Sequence, residues 1–79
     1  MTIIHKFQLT STDFLPEGKV LLIAQQNDST FPYLWLEYDP DIAVETAYRI
    51  FGTGQSPTGE HIGSAICGDY VWHVYKGGL

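Results

Sequence analysis

Three histidines and one cysteine are the soft donors of this chain: His5, His61, His73 and Cys67. No His-x-His or Cys-x-x-Cys spacing places any two of them side by side. A metal centre would need the fold to converge them, and the sequence predicts none. Cys67 has no cation beside it in sequence to favour its thiolate, so it does not read as a nucleophile. His73 reads as a hydrogen-bonded core or interface residue.

The second candidate is Gly52-Thr53-Gly54. Two glycines flanking a hydroxyl let consecutive backbone N–H groups point into one concavity, which suits a phosphate. The plain alternative is a strand-ending turn. A P-loop is excluded, because no Gly-Lys-Ser/Thr follows and no helix opens. Arg49, just upstream, is the one guanidinium of the chain and its only fork for bidentate phosphate or carboxylate recognition. Arg49, Gly52, Thr53, Gly54 and Gln55 therefore form the candidate ligand- or partner-binding site, with Tyr48 or Trp35 expected to stack on a base if the ligand is a nucleotide.

The carboxylates give a third surface. Glu37, Asp39 and Asp41 alternate at a strand end and share a face. Such a face can hold a divalent cation, and the reading preferred is a solvated acidic end. Together with Glu60 these residues form an acidic partner surface, acting through association rate and salt dependence. No triad, dyad or metal motif supports catalysis, so the chain reads as a non-enzyme with no cofactor.

The elements that position these residues read as strands. Ile3–Leu9 alternates and predicts a half-buried strand. Thr10–Asp13 breaks the pattern, and Phe14 and Leu15 are expected to plug one end of the core before a turn at Pro16-Glu17-Gly18. Lys19–Gln26 is apolar on both faces. Asn27–Thr30 collects turn formers, so Lys19–Gln26 and Tyr33–Tyr38 predict an antiparallel hairpin. Ile42–Glu45 fits either one helical turn capped by Asp39 or Asp41, or an extended loop. Thr46–Phe51 is the next strand.

Gly52–Glu60 is the longest weakly patterned stretch and reads as the most exposed loop. His61–Ile66 is a strand interrupted by Gly63, the signature of a bulge or a close backbone approach. Tyr70–Tyr75 is the central strand, with Tyr70, Trp72 and Val74 on one face and Val71, His73 and Tyr75 on the other. Gly77–Leu79 is expected to fray. No stretch holds a helical period. The prediction is a single all-β domain over 1–79: a small antiparallel barrel or sandwich of five to six short strands.

Composition narrows the function. Seventy-nine residues at 44% hydrophobic and 16% charged exclude disorder and suit a surface covered by a partner. Two strands apolar on both faces exceed what one small core covers, so a homo-oligomer is expected. A net charge of −5 with only Lys6, Lys19, Arg49 and Lys76 as cations excludes duplex nucleic acid and an anionic membrane surface as partners. A lone cysteine, no signal-peptide core and no apolar run of membrane-spanning length predict the cytoplasm.

The order of short motifs is distinctive. His-Lys-Phe-x-Leu (His5–Leu9), Tyr-Leu-Trp (Tyr33–Trp35), Asp39-Pro40, Gly-Thr-Gly (Gly52–Gly54) after Arg49-Ile50-Phe51, Ile62-Gly63 and Val-Trp-His-Val-Tyr (Val71–Tyr75) follow one another along nearly the whole chain. This order resembles a family of short uncharacterised proteins encoded by tailed bacteriophages and prophages. Members of that family commonly carry His after Gly-Thr-Gly; Gln55 stands there in this chain, so no catalytic or metal role carries over to that position. The resemblance implies an origin and not a mechanism. It implies a phage-encoded binder in the host cytoplasm: a counter-defence factor that inhibits a bacterial immune protein or sequesters a nucleotide signal. A virion structural or assembly accessory is the alternative, and a small regulatory enzyme the lesser one.

Overall fold

A computed structural model describes residues 1–79. Seven strands fill the chain: β1 Ile3–Gln8, β2 Thr12–Pro16, β3 Lys19–Ala24, β4 Tyr33–Tyr38, β5 Glu45–Gly52, β6 Glu60–Cys67 and β7 Tyr70–Lys76. They form two sheets, ordered β1-β4-β3 and β2-β5-β7-β6. Every pairing is antiparallel. The sheets pack as a small sandwich and do not close into a barrel, so β1, β3, β2 and β6 all remain edge strands. No helix is present that is long and apolar enough to cross a membrane.

The predicted all-β class holds, with seven strands rather than five or six. The added strand is β2. Thr12–Pro16 pairs with β5 in the register Phe14↔Ala47 and Leu15↔Thr46. Leu15 is buried as expected, but Phe14 is 58% exposed on the opposite face, because adjacent strand residues cannot both point inward. The hairpin of β3 and β4 forms as predicted, and Asn27 and Asp28 turn it with positive φ angles of 54° and 56°, which short polar side chains tolerate. Ile42–Glu45 is not helical. Asp39 Oδ1 accepts from the Asp41 N–H at 2.9 Å, its carbonyl accepts from the Ile42 N–H at 3.1 Å, and the chain then extends into β5.

The core lies where the inner faces meet. Leu34 and Leu36 of β4 pack with Leu9, Leu15, Tyr48 and Val74. Residues of β4 on either side of these leucines, Tyr33, Trp35 and Glu37, therefore face outward. In the four-stranded sheet β7 is interior, between β5 and β6, as the central-strand reading required. Only Val74 of that strand is fully buried; Tyr70, expected on the same face, is 58% exposed. Trp72 is half-buried, with its indole N–H donating to the Thr30 carbonyl at 2.8 Å and its ring 5.4 Å from that of Phe31.

The C-terminal glycines do not fray. The Gly77 N–H donates to the Ala47 carbonyl at 2.8 Å, and Thr58 Oγ1 donates to the Gly78 carbonyl at 2.8 Å. A Cβ on Gly78 would stand 2.5 Å from the Gly59 nitrogen, so two glycine backbones lie in direct contact.

Candidate functional site

The outer face of the four-stranded sheet carries most of the predicted site, in a different arrangement. Along β5 this face presents Arg49 and Phe51, along β7 His73 and Tyr75, and along β6 His61 and Ser64. The pairings Arg49↔Tyr75, His61↔Tyr75, Phe51↔His73 and Ser64↔His73 set them in two rows. Tyr75 meets Phe51 edge-on at 5.5 Å and His61 at 5.1 Å. The Arg49 guanidinium lies 4.9 Å over the Phe51 ring, a cation–π contact.

A chain of hydrogen bonds crosses this face. Thr53 Oγ1 lies 3.1 Å from His73 Nε2, His73 Nδ1 lies 2.9 Å from Ser64 Oγ, and Ser64 Oγ lies 3.1 Å from His61 Nε2. Both ring nitrogens of His73 are thus engaged. Residue spacing alone would set His61 and Ser64 on opposite faces, because they are three apart. A register shift between His61 and Gly63 returns them to one face. Sequence reasoning therefore missed Ser64 and the pairing of His61 with His73, and its one signal was Gly63. His5 sits apart on β1, bonded to the Tyr38 hydroxyl at 3.3 Å. Cys67 is buried on the inner face, and burial pushes its thiol pKa up, so it is held protonated.

The Gly52–Glu60 stretch is exposed from Thr53 onward, as predicted. Its turn is closed on itself: the Gln55 N–H donates to the Gly52 carbonyl at 3.1 Å and the Gly52 N–H to Gln55 Oε1 at 2.6 Å. The Gly52 donor is thereby used internally, which leaves the Thr53 and Gly54 N–H groups as the donors of the expected nest. A shallow concavity of about 260 Å³ remains between this turn and Phe51, His73 and Tyr75.

Three further expectations are corrected. Arg49 presents only part of its fork, since Nη1 donates to Thr58 Oγ1 at 2.7 Å and to the Gly78 carbonyl at 3.2 Å. Its first task is to clasp the C-terminal segment. Tyr48 is wholly buried and cannot stack on a ligand base. Trp35 belongs to the outer face of the other sheet and does not join Arg49 and Thr53.

That other face assembles the acidic candidates instead. Trp35 is half-buried at its centre, paired across strands with Lys6 and Leu22, and its ring lies 6.3 Å from that of Tyr33. Ile4 and Leu22 are 62% and 52% exposed on this same face. Glu37 accepts from Thr2 Oγ1 at 2.9 Å, Asp39 pairs with the N-terminal amine at 3.6 Å, and Asp41 is exposed beside them. Glu60 lies at the start of β6 in the other sheet, opposite Lys76, and is not part of this group.

A family model described as "Domain of unknown function (DUF7352)" matches residues 1–78. No curated protein and no solved structure matches the chain.

Proposed function

The chain belongs to this family of unknown function, and we propose that it is a non-enzymatic binding protein that occupies a host protein. The observation that carries the reading is the outer face of β1, β4 and β3. A half-buried Trp35 stands among the exposed aliphatic side chains of Ile4 and Leu22. Glu37, Asp39 and Asp41 lie at one margin of this face, and Lys6 and Lys19 occupy it as well. An aromatic anchor beside exposed aliphatic side chains, with charged residues among and around them, suits a protein-binding face. The net charge of −5 suits a basic partner surface.

The resemblance to short tailed-phage proteins supports the finer reading: a counter-defence factor acting in the host cytoplasm on a bacterial immune protein. A nucleotide sponge is less favoured. Arg49 Nη1 is engaged by Thr58 and the C-terminal segment, and Tyr48 is buried away from any ligand base.

The test is a pull-down from infected host lysate with the unaltered chain, Trp35→Ala and Asp39→Lys/Asp41→Lys. The expected result is one host protein captured by the unaltered chain and lost with Trp35→Ala, a hot-spot loss of at least about 2 kcal/mol. The charge-reversed variant should lose its salt-dependent association rate. Capture unaffected by either variant, or recovery of the chain in purified virions alone, overturns the reading.

A further inference from the structure

We propose that His61 and His73, with Ser64 between them, form an open transition-metal site on the outer face of the four-stranded sheet, taking a borderline divalent ion such as Zn²⁺ or Ni²⁺ through two imidazole nitrogens. One atom is shared by both rings. His73 Nδ1 and His61 Nε2 both approach Ser64 Oγ, at 2.9 and 3.1 Å. Ser64 Oγ donates its one proton to one ring's lone pair and accepts the other ring's N–H, so both nitrogens face a single point held by a hydroxyl that a metal ion would displace. Two imidazole nitrogens aimed at one point on an exposed face are what a borderline metal ion selects.

The remaining nitrogen of His73 strengthens the case. Nε2 lies 3.1 Å from Thr53 Oγ1. With the Nε2–H donating to Thr53, Nδ1 carries the lone pair and faces Ser64 Oγ, the atom that His61 Nε2 also approaches. Metal-binding imidazoles are fixed in their tautomer in this way, by an acceptor on the far nitrogen. The backbone beneath is rigid: Ser64 and His73 are directly paired in the β6–β7 ladder, and the bulge at His61–Gly63 sets the third side chain on their face.

The ring centroids stand 6.5 Å apart. Two imidazoles on one tetrahedral ion, with metal–nitrogen bonds of ~2.0–2.1 Å, have centroids about 5 Å apart. His61 is exposed on an edge strand, and the proposal requires its side chain to rotate toward His73 to close that separation. No group of three or more His, Cys, Asp or Glu converges here. Water or a partner group completes the coordination, so the ion is exchangeable rather than structural. Hard ions such as Mg²⁺ prefer oxygen ligands and are not bound. The site lies on the sheet opposite to Trp35 and stands or falls independently of the protein-binding face.

The experiment is a titration of the full chain with Zn²⁺ and separately with Ni²⁺, read by calorimetry for both and by imidazole ¹H–¹⁵N resonances for the diamagnetic Zn²⁺. The His61 and His73 ring signals should move together while His5 stays in place. His61→Ala and His73→Ala should each weaken binding at least about tenfold, and Thr53→Val about tenfold through the lost tautomer lock. His5→Ala should leave it unchanged, and Mg²⁺ should produce no shift. If His73→Ala does not fold, His61→Ala at the sheet edge decides alone. No movement of either ring up to ~1 mM ion, where affinity ceases to be specific, overturns the proposal. So does undiminished binding by His61→Ala, or a response centred on His5.

Discussion

Tyr48 is the residue whose chemistry the fold uses least well. It is fully buried, and its hydroxyl is the one buried side-chain polar atom without a hydrogen-bond partner. An unpaired buried hydroxyl costs about 1–3 kcal/mol. Tyr48→Phe should therefore stabilise the protein by about 1 kcal/mol, read as a higher urea midpoint at unchanged slope. Burial also raises the Tyr48 pKa above its ordinary 10.0, with Lys76 opposing and Glu17 assisting. Lys76 is itself raised above 10.5, first by its hydrogen bond to Glu17 at 2.5 Å, against the opposing effect of burial. Both groups hold their proton more tightly folded than unfolded. The stability they contribute is complete below the unfolded values and is lost as pH rises through the higher folded ones. Melting temperature should thus fall above about pH 10, and less steeply in Tyr48→Phe. The Lys76–Glu17 pair is part-exposed on both sides, so Glu17→Gln at neutral pH should cost less than about 1 kcal/mol.

Among the elements, the Arg49 clasp and the Trp72 staple join segments far apart in sequence. Gly59 has φ +96°, and a Cβ there would stand 2.6 Å from the Lys76 carbonyl oxygen. Gly54 has a similar φ of +100° but faces open space. Gly54→Ala should cost about 1 kcal/mol for backbone conformation alone, while Gly59→Ala should cost at least about 2 kcal/mol because it also opens the clasp. Equal midpoints for the two variants would show that the C-terminal contact contributes nothing. Trp72 joins β7 to the β3–β4 turn through Thr30 and Phe31. Being half-buried, it should lose about 2 kcal/mol on Trp72→Ala, less than the ~3–5 of a fully buried aromatic, and an unchanged melting temperature would contradict the staple.

For the whole molecule the deciding quantity is how little is buried. Ten of 79 residues are buried, while Ile66, Leu22, Val71 and Tyr70 remain exposed. The four-stranded sheet ends at β6 beside β3, close enough that a Cβ on Gly63 would meet Ile23 Cδ1 at 2.8 Å, yet the sheets are not joined. An apolar cleft of about 550 Å³ runs along this seam between Ile23, Ala65, Ile66 and Val71. We expect it to be covered by a second copy. Light scattering at high micromolar concentration should give twice the 8.9 kDa chain mass, and Ile66→Glu should return the monomer. A monomer in the unaltered chain would sink the dimer.

The alternating runs determined the strand class by themselves, because period-two patterning with β-branched and aromatic residues leaves a short chain no other way to bury an apolar face. The β3–β4 hairpin was legible in Asn27-Asp28, whose side chains tolerate the left-handed backbone of the turn. The Gly52–Glu60 loop was legible because nothing in it could anchor to a core. Which residues share a site was not legible. Trp35 and Arg49 read as neighbours in function until the strand order assigned them to different sheets. Arg49 read as a free fork until the C-terminal glycines folded back onto it. His61 and Ser64 read as opposed until one bulge put them on the same face. Sheet order, bulge register and backbone-to-backbone contact are set by long-range packing, and local patterning holds no term for them.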